Sequence, residues 1–286
     1  MTDSLSILTG ALSAGEVDVV DLSATITTSP PEVPEWQRTD IVYSDHSVGA
    51  AEMHQLFGVP AELLRNQEGP ATEYFARLVT HNTTHVDAPR HYNSEIQGRP
   101  ARSIDALPLS WFIGAGVVVD MTGRADGDAV TETELRDALK RQSHALAPGE
   151  IVLVRTGCDR FYGLPEYAAH GPGVSPEATV WLYEQGIRVM GIDAWGWDAP
   201  VALQAARALA ANRGGIFWGA HQIDREYAQI ERMVNLGSLP SDGFLVICLP
   251  LKVADGSAGP VRAVALVPRT MTKYQHETLD MIAKTA

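Results

Sequence analysis

The chain has 286 residues, enough to bury a large core as one big domain or two small ones. Its net charge of −13, from 22 basic and 35 acidic residues, argues against nucleic acid or an anionic membrane as partner. No apolar run is long enough to span a bilayer, and the opening Met1-Thr2-Asp3-Ser4 lacks the basic flank and apolar core of a secretory signal. Cys158 and Cys248 lie far apart and form no CxxC pair, so they read as reduced thiols of a cytoplasmic protein.

Residues 1–16 are weakly amphipathic and predict a short helix, and Val17 to Ser23 predicts a strand. Residues 25–60 hold Pro30, Pro31, Pro34 and Pro60 with few periodic runs, the pattern of an irregular lid or binding loop. His46 and His54 lie there without ligand-like neighbours and read as surface residues. Phe75 to Val79 predicts a strand delivering the histidines that follow, and residues 93–109 a loop with a short helix. Gly116 to Asp120 and Ile151 to Val154 are buried-type strands. Between them Thr131 and Glu134 make a capping box that opens a helix running to about Arg141. Ser175 as N-cap and Pro176 at the first helical position start another helix, which Gly186 ends. Ile187 to Asp193 is a strand, Val201 to Asn212 an Ala-rich helix, and Gly243 to Lys252 and Val261 to Val267 are closing strands. From Arg269 the chain reads as a helical tail of 269–286. Strands and helices alternate without a Gly-rich phosphate loop after the first strand. That argues against a Rossmann fold and predicts an α/β domain over 1–286, a mixed sheet or barrel-like core with outer helices.

The chemistry concentrates in His81-Asn82-Thr83-Thr84-His85-Val86-Asp87-Ala88-Pro89-Arg90-His91. In a strand His85 and Asp87 share a face, but His81 and His85 would stand roughly 13 Å apart. Two donors to one ion sit only about 3–4 Å apart, so if His81 and His85 bind one metal the chain must turn or bulge at Asn82-Thr83-Thr84. A helix is disfavoured by Thr83, Thr84 and Val86 and would be broken by Pro89. His81, His85 and Asp87 form a borderline ligand set that suits one divalent metal, Zn or Mn, with positions open for water or substrate. His91 follows two to three strand steps later and is the first choice for general base and acid; orienting Asp87 is its other reading. Trp195, Trp197 and Trp218 gather half of the six tryptophans near Asp193 and His221, as walls for a planar or apolar substrate or as core packing.

The pattern His81-x-x-x-His85-x-Asp87-x-Pro89-x-His91 resembles the signature of the cyclase-like metal-dependent hydrolases, a family that includes kynurenine formamidase and isatin hydrolase. Asp21-Leu22-Ser23 and Arg155-Thr156-Gly157 are similar to further family segments, although Thr83 stands where the family usually has Gly. The resemblance implies a swivelling cyclase-like fold, a small-molecule substrate, a homodimer or higher homo-oligomer, and His91 as proton carrier. It also implies His221 as a site histidine and Asp193 as a weaker substrate-binding candidate beside the site. Members with two metals supply a Glu just before an Asn-Leu pair. Val234 precedes Asn235-Leu236 here, and Glu231, read as one helical turn away on another face, is a poor substitute. The expectation is therefore a single-metal hydrolase of an amide or ester carbonyl, lactams, lactones and formamides included. The alternatives are a cyclase, lyase or dehydratase using the same metal site, and a catalytically silent metal- or ligand-binding homologue.

Overall fold

A computed structural model describes residues 4–269, with side chains from residue 6. The tail expected beyond Arg269 lies outside the described residues. Two compact units are present: Thr25–Asn82 forms the smaller, and the described residues on either side of it form the larger.

The larger unit is built on a nine-stranded mixed sheet. Its strands are β1 (Val17–Asp21), β2 (His85–Asp87), β3 (Ile113–Asp120), β4 (Ile151–Arg155), β5 (Val189–Ile192), β6 (Ala228–Glu231), β7 (Phe244–Ile247), β8 (Ala258–Pro260) and β9 (Val264–Pro268). They lie in the order β1-β9-β7-β3-β4-β5-β6-β2-β8. The central four, β3 to β6, are parallel, and every other pairing is antiparallel. Parallel strands buried on both faces need continuous apolar runs. Ile151-Val152-Leu153-Val154 has that pattern and is fully buried. Period-two alternation splits the run between two cores. Val152 and Val154 join Val117, Val119, Met190 and Ile192 in one core, and Ile151 and Leu153 join Val118 and Val189 in the other. The first core is closed by Leu135 and Leu139 of α4 (Glu132–Arg141) and Trp181 and Leu182 of α5 (Pro176–Glu184). The mixed α/β sheet predicted from the alternation of elements is the observed one.

The expected caps are in place. Thr131 accepts the Glu134 N–H, and Glu134 accepts the Thr131 N–H in return. That bond to the Thr131 backbone, opposed by burial, holds the Glu134 carboxyl down to about 2. Because this pKa is depressed, the stabilisation exists above the ordinary value and is lost as pH falls from the usual range toward 2. Thr131→Ala is expected to cost about 1 kcal/mol in urea unfolding at pH 7, and the difference should shrink at pH 3.

Residues 25–60 are not the irregular stretch expected from their prolines. Asp40–Ser44 pairs antiparallel with Thr72–Arg77, and the twelve-residue helix α2 (His46–Phe57) lies in the connection between them. Asp45 caps it through the N–H groups of Ser47 and Val48, and Gly58 ends it at φ 67°. These two signals outweigh the prolines, which all lie outside the helix. His46 and His54 are exposed on α2. The strand Thr72–Arg77 therefore pairs within the smaller unit and is not part of the sheet that carries His85 and Asp87.

Candidate active site

The short strand β2 lies between β6 and β8. Its register places Glu231 opposite His85 and Gln229 opposite Asp87. Directly paired residues project from the same face of a sheet, so Glu231 joins His85 and Asp87 while Val86 points into the core. Nε2 of His85 is 3.1 Å from Oδ1 of Asp87 and 3.7 Å from Oε2 of Glu231. One donor atom from each of these three buried residues lies within 4.8 Å of the others.

Thr83 makes the turn into β2 at φ 55°, a left-handed conformation costly for a β-branched residue. The surrounding contacts enforce it. Thr83 Oγ1 donates to the Ala24 carbonyl, Thr84 Oγ1 donates to the Arg232 carbonyl, and the Thr83 carbonyl receives Nδ1–H of His85 at 2.9 Å. A carbonyl only accepts, so Nδ1 carries a proton and Nε2 is left facing two carboxylates. A nitrogen lone pair and two carboxylate oxygens converging in a buried space are a donor set that a divalent cation satisfies. The residues present fit the metal that the sequence pattern implies.

Glu231 is the residue that sequence reasoning set aside. The sequence pattern predicts a helical turn there, but Glu231 ends a strand, and register alone brings it to His85. Burial and the Asp87 charge push its carboxyl up. The His221 hydrogen bond, with the charges of His221 and His85, outweighs them and leaves it below the usual carboxylate range.

His91 sits on α3 (Pro89–Tyr92), one helical turn opened by Pro89, where the sequence suggested a continuing strand. The turn brings Nε2 of His91 to 3.9 Å from Oδ2 of Asp87. His91 also lines a cavity of about 410 Å³ together with Arg90, Asn93 and Pro100. His221 enters from the loop after α6 (Val201–Ala211). Its Nε2 lies 3.4 Å from Oε1 of Glu231 and 3.9 Å from Oδ2 of Asp87. Burial would lower its pKa, but hydrogen bonds to Asp198 and Glu231, and their charges, raise it to about 10. The Trp218 indole stacks on His221 at 5.2 Å and 15°, and its centroid is 5.3 Å from that of His91.

The remaining predicted residues are His81, Trp197, Trp195 and Asp193. His81 is the penultimate residue of the smaller unit, four positions before His85. Trp197 is fully buried in the core, its Nε1 donating to Thr179; only its backbone N–H reaches the site, donating to Glu231 at 2.8 Å. Trp195 is half-buried, with the Arg232 guanidinium 4.6 Å over its ring. The Asp193 carboxylate accepts from Thr156 N–H, Thr156 Oγ1 and Gly157 N–H, tying the end of β5 to the end of β4. Burial pushes its pKa up to about 6 against those hydrogen bonds.

Fold and site together define a mixed α/β protein with a buried cluster of histidines and carboxylates at one short strand. The family model called Cyclase, with the description "Putative cyclase", matches residues 20–199, and the chain belongs to this family. It is 27% identical over 285 residues to an isatin hydrolase of Roseibium aggregatum, covering 93% of this chain and 98% of that one. It is 30% identical over 192 residues to a kynurenine formamidase of Salinibacter ruber, covering 66% and 76% respectively. Among solved structures, isatin hydrolase A from Ralstonia solanacearum matches with a TM-score of 0.70 at 23% identity, over 93% of this chain and 98% of that one, a likeness of fold. Among the described residues no helix is long and apolar enough to cross a membrane.

Proposed function

We propose that the protein is a metal-dependent hydrolase that cleaves an amide or ester carbonyl of a small molecule, with formamides and cyclic lactams or lactones as the substrate class. The observation that carries this reading is the buried convergence of His85, Asp87 and Glu231 beside His91 and His221. The names of the two relatives, isatin hydrolase and kynurenine formamidase, support hydrolysis at a carbonyl–nitrogen bond. His85, Asp87 and Glu231 would hold the ion, with His81 as a further donor proposed from its spacing. Bound there, Zn²⁺ or Mn²⁺ would supply Lewis-acid polarisation of the carbonyl and acidify a water molecule. His91 faces both the cavity and Asp87, so its Nε2 accepts the proton of the attacking water and returns it to the leaving nitrogen or oxygen. Trp218 stacks on His221 and borders His91, shielding the buried His221 from bulk water.

A two-ion centre is the second reading. One oxygen of each carboxylate faces His85, while Asp87 Oδ2 and Glu231 Oε1 face His221. Elemental analysis of the purified protein decides between one equivalent and two. His85→Ala is expected to lose the metal and all turnover on a panel of lactams and formanilides. Full activity in that variant would overturn the proposal. Solvent ¹⁸O in the product distinguishes hydrolysis from a cyclase or lyase reaction.

A further inference from the structure

The loop carrying Trp218 and His221 is fastened by three side chains to which the proposed chemistry assigns no step. Oδ2 of Asp198 accepts the His221 backbone N–H at 3.0 Å and the ring Nδ1–H at 2.5 Å, and Oδ1 accepts the Ala220 N–H at 3.0 Å. The Asp198 side chain is only 10% exposed. A carboxylate only accepts, so Nδ1 bears the proton whether the ring is imidazole or imidazolium. Nε2 is thereby turned toward Glu231 and Asp87. Gln204, buried on α6, uses both ends of its amide: Oε1 accepts the Trp218 N–H at 2.7 Å and Nε2 donates to the Ala199 carbonyl. Trp218 sits at φ 56°, an outlying conformation for a bulky side chain that persists only where its surroundings impose it. The imposed backbone is the one that stacks the indole on His221. From behind, Tyr227 Oη donates to the Ala220 carbonyl.

We propose that Asp198 is a positioning residue of the active site: it sets the ring plane and the proton-bearing nitrogen of His221, while Gln204 holds the Trp218 roof, so that Nε2 of His221 is presented to Asp87 and Glu231 in advance of substrate. The inference rests on the hydrolytic reading of the site for its kinetic consequence, but not for its geometry.

Asp198→Asn tests it. An amide has one acceptor oxygen, so either orientation sets an NH₂ against a backbone N–H. Where that NH₂ meets Nδ1, it takes the nitrogen as acceptor and moves the ring proton to Nε2. Partners that orient a site histidine typically contribute about 10- to 100-fold. The expected result is a kcat lower by that factor with KM little changed and metal content as in the wild type. In a His221→Gln background the same substitution should change kcat by less than about twofold. An equal loss in both backgrounds would make Asp198 merely structural and overturn the proposal. The second readout needs no turnover. ¹⁵N–¹H NMR of histidine-labelled wild type should show a slowly exchanging Nδ1 proton that vanishes in His221→Gln, which assigns it. A His221 proton on Nε2 with none on Nδ1 overturns the proposal even if Asp198→Asn does not fold. A bound Nδ1 proton without turnover of any panel substrate supports the positioning role and overturns the hydrolase reading instead.

Discussion

Glu231→Gln is expected to give a folded protein that no longer retains its metal and has lost more than about 100-fold in turnover. Residues that merely orient metal ligands cost about 10- to 100-fold when removed, and a direct donor contributes more. The amide oxygen of glutamine can still accept the Trp197 N–H now received by Oε1, so the backbone contact survives. The other end of the amide would place an NH₂ where Oε2 stands, 3.7 Å from Nε2 of His85. A hydrogen-bond donor there competes for the lone pair that a cation needs. Stability separates the two effects. A ligand that binds only the folded state adds RT ln(1 + [L]/Kd), about 2.7 kcal/mol at a hundredfold excess over Kd. Added Mn²⁺ or Zn²⁺ should therefore raise the Tm of the wild type and leave that of Glu231→Gln unmoved, while the metal-free proteins melt within a few degrees of each other. A variant that keeps a full equivalent at wild-type affinity would return the ion to the sequence-predicted trio His81, His85 and Asp87, and would remove Glu231 from the ligand set.

That contrast marks where the sequence is legible. His85 and Asp87 are neighbours in a strand, so residue type and a period of two suffice to put them on one face. Three of the four parallel strands, β3, β4 and β5, were readable from their apolar runs, and α4 and α5 from caps that satisfy their first N–H groups locally. Glu231 depends on something no local window contains, the pairing of β6 with β2. The chain is strand up to Glu231 and then leaves it through Arg232 and Asn235 at φ 58° and 64°. A helical reading of Glu231-Arg232-Met233-Val234 therefore assigned it to the wrong face. The same reason hid the division of labour among the tryptophans. Trp197 and Trp218 look alike in sequence, but one ring fills the core against Thr179 and the other stacks on His221. Thr83 shows the opposite case: a turn that glycine would make freely is imposed on threonine by hydrogen bonds from partners distant in sequence.

Gly173→Ala should be the most damaging small substitution in the larger unit, and it should strike fold and site together. A Cβ on Gly173 would lie 2.0 Å from the Ala199 nitrogen and 2.5 Å from the Asp198 carbonyl carbon. Both are backbone atoms, so no side chain can swing aside. Neither side can retreat easily: Gly173 N–H is bonded to Asp128, Val174 N–H to the Trp197 carbonyl, and Gly173–Val174 pairs with Ala129–Val130. Overpacking typically costs about 1–3 kcal/mol, and a clash confined to backbone belongs at or above the top of that range. For a chain of this size about 3 kcal/mol corresponds to a fall in Tm on the order of 6–12 °C. The segment that must move carries Asp198, which orients His221, and Ala199, whose carbonyl receives Gln204. Activity measured well below the new Tm should therefore fall further than the unfolded fraction explains. Gly214→Ala is the matched control, since a Cβ there meets nothing within 4 Å, and it should leave Tm and turnover unchanged. If Gly173→Ala lowered Tm while the remaining folded protein kept full turnover, the position of the Asp198 segment would not limit catalysis; an unchanged Tm would mean that the contact relaxes without cost.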